Sequence, residues 1–268
     1  MFKNISKALW FSFLPLTILG VIGIILIVLG HIPYYFLIFS VIMWALISGL
    51  GIAVGYHRVL SHRTHRQLPR WKENILLFFA TFAGQGSPIF WVALHRGYHH
   101  PHSDHEKDLH SPVVHGRYHA FMGWFIQNTE SNNVVNLKYA VDLLRRKNVV
   151  WFHEWHYRLL WAVPLLVALI DWRLAFALFW IPGAVGTVQD NAVNVYGHYK
   201  GLFGYRNYDT ADQSHNNIWL GWFGWGQGWH NNHHAHPANY DFGSGTSGRW
   251  WEFDPCKLFL PFLGKPSA

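Results

Sequence analysis

The 268-residue chain carries 16 Trp, 20 Phe and 12 Tyr against only 13% charged residues, a composition suited to work against lipid. Its single cysteine, Cys256, excludes an intramolecular disulfide framework and a cysteine-held iron–sulfur cluster, so any metal chemistry must rest on nitrogen and oxygen. The net charge of +7 suits an anionic membrane surface or an acidic partner, while the lack of a basic helix with interleaved aromatics argues against nucleic acid.

From Ala8 to Tyr56 there is no Asp, Glu, Lys or Arg. That suffices for two membrane helices at roughly 20 apolar residues each. The turn-like Gly30-His31-Ile32-Pro33 divides the run into helices expected near 9–30 and 34–56. The first is too long for the apolar part of a signal peptide and lacks a small-residue cleavage site, so it should stay attached. Lys3 and Lys7 precede it and the turn carries no Lys or Arg, which puts the N-terminus in the cytoplasm and lets His57 emerge there. The sequon Asn4-Ile-Ser6 is then out of reach of glycosylation.

A second uncharged run, Asn74 to Leu94, is expected not to cross, because a crossing would part His57 and His62 from the histidines at 95–100. Gly84, Gly86, Ser87 and Pro88 interrupt it, so an in-plane or re-entrant segment, or a helix packed beneath a cap, is expected. The run Arg145-Arg146-Lys147 reads as a solvated face able to meet an anionic headgroup, a coenzyme phosphate or an acidic carrier protein. Leu159–Ile170 and Leu174–Gln189, split by Asp171-Trp-Arg173, extend to spans near 155–171 and 173–197 and return His198 to the first side. Residues 57–154 and 198–268 would form a cytoplasmic cap, with the C-terminus there, in one domain of residues 1–268 without repeats. Trp-rich stretches such as Trp219–Trp229 read as interfacial or core.

Three histidine clusters stand at the ends of these runs: His57-Arg-Val-Leu-Ser-His62, His95-Arg-Gly-Tyr-His99-His100 and His230-Asn-Asn-His233-His234, with Asn194-Val-Tyr-Gly-His198 as a looser fourth. So many imidazoles at ligand spacing imply more than one metal ion. On a helix, residues four apart share a face, whereas five apart fall about 140° away. His57 and His62 therefore need a widened helix end, His95 and His99 can chelate together with His100 off their face, and His230, His233 and His234 fit one face. Asp190, Asn194 and His198 form a stripe, and Asp190 is expected to face the metal cavity or a substrate tunnel, because an unpaired carboxylate against lipid is costly. His65, His102, His105, His115 and His119 read as solvated or supporting groups.

The segments His57-Arg-Val-Leu-Ser-His62, Trp91-Val-Ala-Leu-His95-Arg, Ser103-Asp-His-Glu-Lys-Asp-Leu-His110-Ser-Pro, Gly204-Tyr-Arg-Asn-Tyr-Asp-Thr and Gly226-Gln-Gly-Trp-His230-Asn-Asn-His-His234 resemble the integral-membrane fatty acyl desaturases of the stearoyl-CoA Δ9 type, from about residue 45 to Pro255. The resemblance implies an all-α, mushroom-shaped membrane protein with four transmembrane helices and a histidine-rich cytoplasmic cap holding two irons above an acyl tunnel. Its implied ligands are His57, His62, His95, His99, His100, His198, His230, His233 and His234, with Asn194 reaching one iron through water. Asp104, Asp108, Asp209 and Asp212 are candidates to orient those imidazoles. Three departures from the family pattern stand out: an extra residue at Gly97-Tyr98 in the second cluster, Asp190-Asn191 where Thr-Trp is usual near the tunnel bend, and Gln227 in place of Glu.

The implied reaction is O₂-dependent desaturation of a long acyl chain carried on CoA, a carrier protein or a lipid. Hydrogen removal from an unactivated methylene needs an oxidant built from O₂ and two electrons, and a dry, nitrogen-rich site protects it. The same boxes suit an acyl or alkane hydroxylase, an acetylenase or a terminal-alkene-forming decarboxylase. Outside enzymes, a metal-binding or metal-transport membrane protein is the alternative, though transport favours ligands along a path inside the bilayer. With no His-Pro-Gly-Gly haem motif and no cysteine cluster, electrons are expected from an external donor such as ferredoxin, rubredoxin or cytochrome b5. The expected location is the cytoplasmic membrane of a bacterium or the endoplasmic reticulum of a eukaryote.

Overall fold

The computed structural model describes residues 5–124 and 137–267, with side chains from Ser12 onward. Lys3, Asn4 and the Lys7 side chain, on which the expected orientation drew, lie outside that description, as does part of the expected cap, 125–136.

The run Ala8–Tyr56 and the pair Leu159–Ile170 and Leu174–Gln189 become two helical hairpins. In the first, α1 (Ile5–Val28) is followed by a turn in which Gly30 adopts φ +77°, left-handed backbone that glycine enters without a Cβ penalty. Beyond Pro33, which has no N–H to donate, α2 runs from Tyr34 to Ser61, 28 residues long and apolar enough to cross a membrane by length and composition. It continues past the expected end at 56, so His57 lies inside the helix and not beyond it. The uncharged run Asn74–Leu94 folds as most of α3 (Arg70–Thr81) and the start of α4 (88–102), parted by a turn in which Gly84 and Gly86 take positive φ. In the second hairpin, α5 (Lys147–Ile170) ends at Asp171, whose carboxylate caps the next helix by accepting from the Arg173 backbone N–H at 2.9 Å. That next helix is α6 (172–196).

Small residues and hydroxyls bring these helices together. A Cβ on Gly51 of α2 would stand 2.7 Å from the Ala80 Cα of α3, so the two backbones touch. Ser40 Oγ of α2 donates to the Ala177 carbonyl of α6 at 2.9 Å, and Thr187 Oγ1 of α6 donates to the Ala83 carbonyl at 2.6 Å. The Arg173 guanidinium lies over the Phe36 ring, which sets the two hairpin turns side by side. At that end apolar side chains are bare: Leu169 and Ile170 are 84% and 83% exposed, with Val28, Leu29, Ile38, Val41 and Ile42 also exposed. An apolar patch of this kind marks a surface that meets something other than water. The histidine-bearing ends of α2 and α6 lie at the opposite end of the helices.

After α6, a two-residue antiparallel pair joins β1 (Gly204–Tyr205) to β2 (Asn216–Asn217), followed by α7 (Ile218–Phe223) and α8 (His230–Ala235). The rest of the described chain beyond α8 is short helical turns and loops, so the described fold is helical almost throughout.

Candidate metal centre

The last 17 residues of α2, Ala45–Ser61, are π-helical, and the His62 N–H bonds to the His57 carbonyl at 3.1 Å. A π-helix bonds i to i+5, which brings residues five apart onto one face. This is the widening that the His57–His62 spacing requires. The same device recurs in α4, where His95–His99 is π-helical and the His100 N–H returns to the His95 carbonyl. The extra residue of the second cluster is absorbed there, and Gly97 is held small because a Cβ would meet the Tyr139 ring. As a result His95 pairs with His100, and His99 turns to another group. The expected His95–His99 chelate is thereby corrected.

Nine imidazoles collect into two groups whose donor atoms lie within 4.8 Å of one another: His57, His62, His95, His100 and His233 in one, His99, His198, His230 and His234 in the other. The third cluster therefore serves both groups. On the short α8, His230 and His234, four apart, share a face, while His233 turns to the five-histidine group, contrary to the single face expected. In the first group Nε2 atoms meet at 2.9 Å between His57 and His233, His62 and His95, and His100 and His233. In the second, His230 Nε2 stands 2.9 Å from His198 Nε2 and 3.1 Å from His234 Nε2. The His100 and His234 rings stack at 4.6 Å and join the groups.

Behind the second group stands a layer of oxygen acceptors. Asp104 Oδ2 receives His198 Nδ1 at 3.0 Å, Asp108 Oδ2 receives His99 Nδ1 at 3.2 Å, and Asp212 Oδ2 receives His234 Nδ1 at 2.6 Å. The Gln227 carbonyl faces His230 Nδ1 at 3.3 Å. Burial opposes ionisation of Asp212, but the bonds from His234 and the Thr210 hydroxyl outweigh it and hold the carboxyl well below the usual carboxylate range. Asp104 and Asp108 are likewise lowered by their imidazole partners against the effect of burial. Asp209, expected in this layer, is instead exposed: Asn231 Oδ1 grips the Asn207 and Tyr208 N–H groups at 2.8 Å and leaves Asp209 on the solvent side of the loop.

This donor set fits a metal. With Nδ1–H donating to an oxygen, each ring of the second group aims an Nε2 lone pair inward, and unprotonated lone pairs this close repel unless a cation sits among them. Burial lowers His62 to about 3 and His99 to about 4 and so keeps these rings neutral, whereas at His198 burial is outweighed by the bond to Asp104, which raises the imidazole above its usual value. Neutral imidazole in that number suits iron and other first-row ions.

Asn194 and Asp190, one turn apart on α6, line a cavity that also meets His57, His95, His99 and His230. Asp190 is buried rather than at a solvent interface, and its Oδ2, like Gln85 Nε2 on the same wall, has no hydrogen-bond partner. Asn191 is fully buried with neither side-chain polar atom bonded, and it does not line this cavity. Gln227 Oε1 stands 2.5 Å from His57 Nδ1. Of the supporting histidines, His65 and His119 are buried against the Gly264 and Leu109 carbonyls, and His115 bonds the Asp108 carbonyl.

Sequence reasoning missed three participants. His110 Nδ1 takes the other Asp108 oxygen at 3.2 Å and lines the cavity. Trp91 stacks on His95 at 4.9 Å and 21°. Arg58, between two histidines, is wholly buried and paired with Asp254 at 2.7 Å. His110 was legible as a histidine two residues from a buried Asp, but the other two carry no local signal.

The Fatty acid desaturase family profile matches residues 30–255. The sn-1 stearoyl-lipid 9-desaturase of Anabaena variabilis is 32% identical over 221 residues, covering 80% of this chain and 75% of the relative. The Delta-9 acyl-lipid desaturase 2 of Arabidopsis thaliana is 34% identical over 237 residues, 83% of this chain and 71% of the relative. The sn-2 palmitoyl-lipid 9-desaturase of Nostoc sp. (strain 36) is 34% identical over 214 residues, 78% and 71%.

Proposed function

This chain belongs to the fatty acid desaturase family, an O₂-dependent oxidoreductase that desaturates fatty acyl chains, and from that membership we propose that each imidazole group holds one iron ion. His57, His62, His95, His100 and His233 hold one, and His99, His198, His230 and His234 the other, with Asn194 reaching one of them through water. The observation that carries this reading is the convergence of nine imidazoles, six of them buried and three half-buried, in two groups, one of them backed by Asp104, Asp108 and Asp212. Bound there, the irons would supply the O₂-derived oxidising power that removing hydrogen from an unactivated methylene demands.

The chain's own residues do the rest. Asp104, Asp108 and Asp212 fix ring tautomers so that each Nε2 points inward, and Trp91 clamps the His95 ring. The cavity wall of Ile52, Leu94 and Val193 excludes water and receives acyl methylenes beside the metal groups. The relatives' names point to an acyl chain linked to a lipid. In this reading α1, α2, α5 and α6 are four transmembrane helices of a mushroom-shaped single domain. α3 and α4 lie beneath a cytoplasmic cap, both termini are cytoplasmic, and the membrane is the bacterial cytoplasmic membrane or the endoplasmic reticulum. The net charge of +7 suits an acidic external electron donor such as ferredoxin, rubredoxin or cytochrome b5.

The test is gas chromatography of lipids from cells expressing the chain, with iron measured on purified protein. New monoenes that vanish in His230→Ala, with two irons per chain in the parent, are expected. Hydroxylated or chain-shortened products would overturn the desaturase reading, and one metal per chain would overturn the two-iron assignment.

A further inference from the structure

A second cavity, of about 500 Å³, opens on the outer side of the last turn of α2 and shares no lining residue with the metal cavity. Three separated segments supply arginines to it: Arg63 and Arg66 from the loop after α2, Arg70 from the start of α3, and Arg145 and Arg146 from the turn before α5. Acidic compensation is thin. Asp142 is the one acid in the lining, and it is already engaged by Arg96 at 2.8 Å and Arg63 at 3.2 Å. Glu73 is buried behind Arg146 and held also by Asn148 Nδ2 at 2.6 Å. Arg66, Arg70 and Arg145 have no acidic partner among the described residues. Three unneutralised guanidinium groups around one hollow repel one another unless an anion joins them, and guanidinium matches phosphate oxygens bidentately.

Two further features fix the kind of anion. The N-terminus of α5, a 24-residue helix, abuts the cavity through Arg146 and Asn148 and has no side-chain cap, so its first-turn amides add positive potential. Exposed indoles flank the site: Trp71 follows Arg70 at 57% exposure, and Trp151 and Trp155 stack one turn apart on the exposed face of α5. Tryptophan exposed in this way marks the depth of membrane headgroups.

We propose that this arginine-lined cavity is a binding site for the phosphate of an anionic glycerophospholipid, which seats one lipid against the cap independently of the metal centre. The inference rests on the membrane placement proposed above, and its test does not use catalysis. Full-length protein is reconstituted in nanodiscs of phosphatidylcholine mixed with a minor share of phosphatidylglycerol, and the lipids retained on release are identified by native mass spectrometry. Phosphatidylglycerol should be enriched over its share in the disc, roughly fivefold for each arginine engaged. The variant Arg66→Gln, Arg70→Gln, Arg145→Gln should lose the enrichment at an unchanged melting temperature. The charge-matched variant Arg117→Gln, Lys200→Gln, Arg249→Gln should keep it.

No enrichment in the parent, or equal loss in both variants, would overturn the site, the latter because bulk charge would then be the cause. Glycerol 3-phosphate or inorganic phosphate displacing the bound lipid at equal concentration would show a site for soluble phosphate and overturn the lipid assignment. Failure of the chain to enter nanodiscs at all would overturn the membrane reading, and with it this site.

Discussion

The Gln227 side-chain oxygen accepts from His57 Nδ1 at 2.5 Å, joining the start of the third histidine cluster to the first across 170 residues of sequence. The bond fixes the ring so that its Nε2 faces His233 Nε2 at 2.9 Å. Partners of this kind typically change metal affinity roughly 10–100-fold. Gln227→Leu should therefore release iron at correspondingly lower chelator concentration, while Gln227→Glu, which keeps an acceptor oxygen, should retain it. Equal retention in Gln227→Leu would show that the contact does not orient the ring.

The two aspartates of one loop should behave oppositely. Asp212→Asn weakens the acceptor on which His234 Nδ1 rests and should lower iron occupancy and turnover together. Asp209→Asn alters an exposed side chain and should change neither. Iron analysis of both purified variants decides it.

Arg58 holds the C-terminal segment under the first cluster. Its guanidinium meets Asp254 at 2.7 Å and the Tyr240 carbonyl at 2.8 Å, and lies 3.8 Å over the Phe242 ring, which packs on His233 at 4.1 Å. Removing one partner leaves an uncompensated buried charge, so Asp254→Leu should destabilise the fold by about 3–5 kcal/mol. A lowered thermal midpoint together with loss of iron is expected, and an unchanged midpoint would refute the anchoring role.

Asp190 shares a cavity wall with Asn194 but belongs to neither histidine group, and its Oδ2 has no hydrogen-bond partner. Asp190→Leu should leave two irons per chain and shift the position or chain length of the product double bond, read by mass spectrometry of derivatised lipids. An unchanged product profile would show that the carboxyl does not shape the substrate path.

The metal-free protein should be acid-sensitive. Burial holds His62 down to about 3 and His99 to about 4, whereas unfolded imidazole titrates near ~6.5. Below that value the unfolded chain binds protons that the folded chain refuses, so stability is full above ~6.5 and falls as pH drops toward 4. The thermal midpoint of chelator-stripped protein should decline between about pH 7 and pH 5, and a flat profile would contradict the buried neutral rings.

Much of the layout was legible in the chain. The charge-free run from Ala8 to Tyr56 and the Gly30–Pro33 break mark the first hairpin, and Asp171-Trp-Arg173 marks the turn of the second, because long apolar stretches and helix breakers act locally. The histidine clusters pointed to a candidate metal site for the same reason: ligand chemistry is written in residue types. Which histidines gather into one group was not legible. Ideal helical geometry pairs His95 with His99, and only the π-helical turns show that His95 belongs with His100.

By itself the sequence determined residue chemistry and apolar periodicity: helices, hairpin turns, neutral nitrogen donors and a carboxylate supply near them. Tertiary structure alone decided the partners. Asp104 reaches His198 across 94 residues, Gln227 reaches His57, Arg58 finds Asp254, and five arginines from three segments meet around one hollow. Hydrogen bonds and ion pairs act over about 3 Å, so they depend on how helices pack and not on spacing along the chain. The π-helical turn at His95–His99 belongs to the same class, whereas the widening at His57–His62 was already demanded by their spacing.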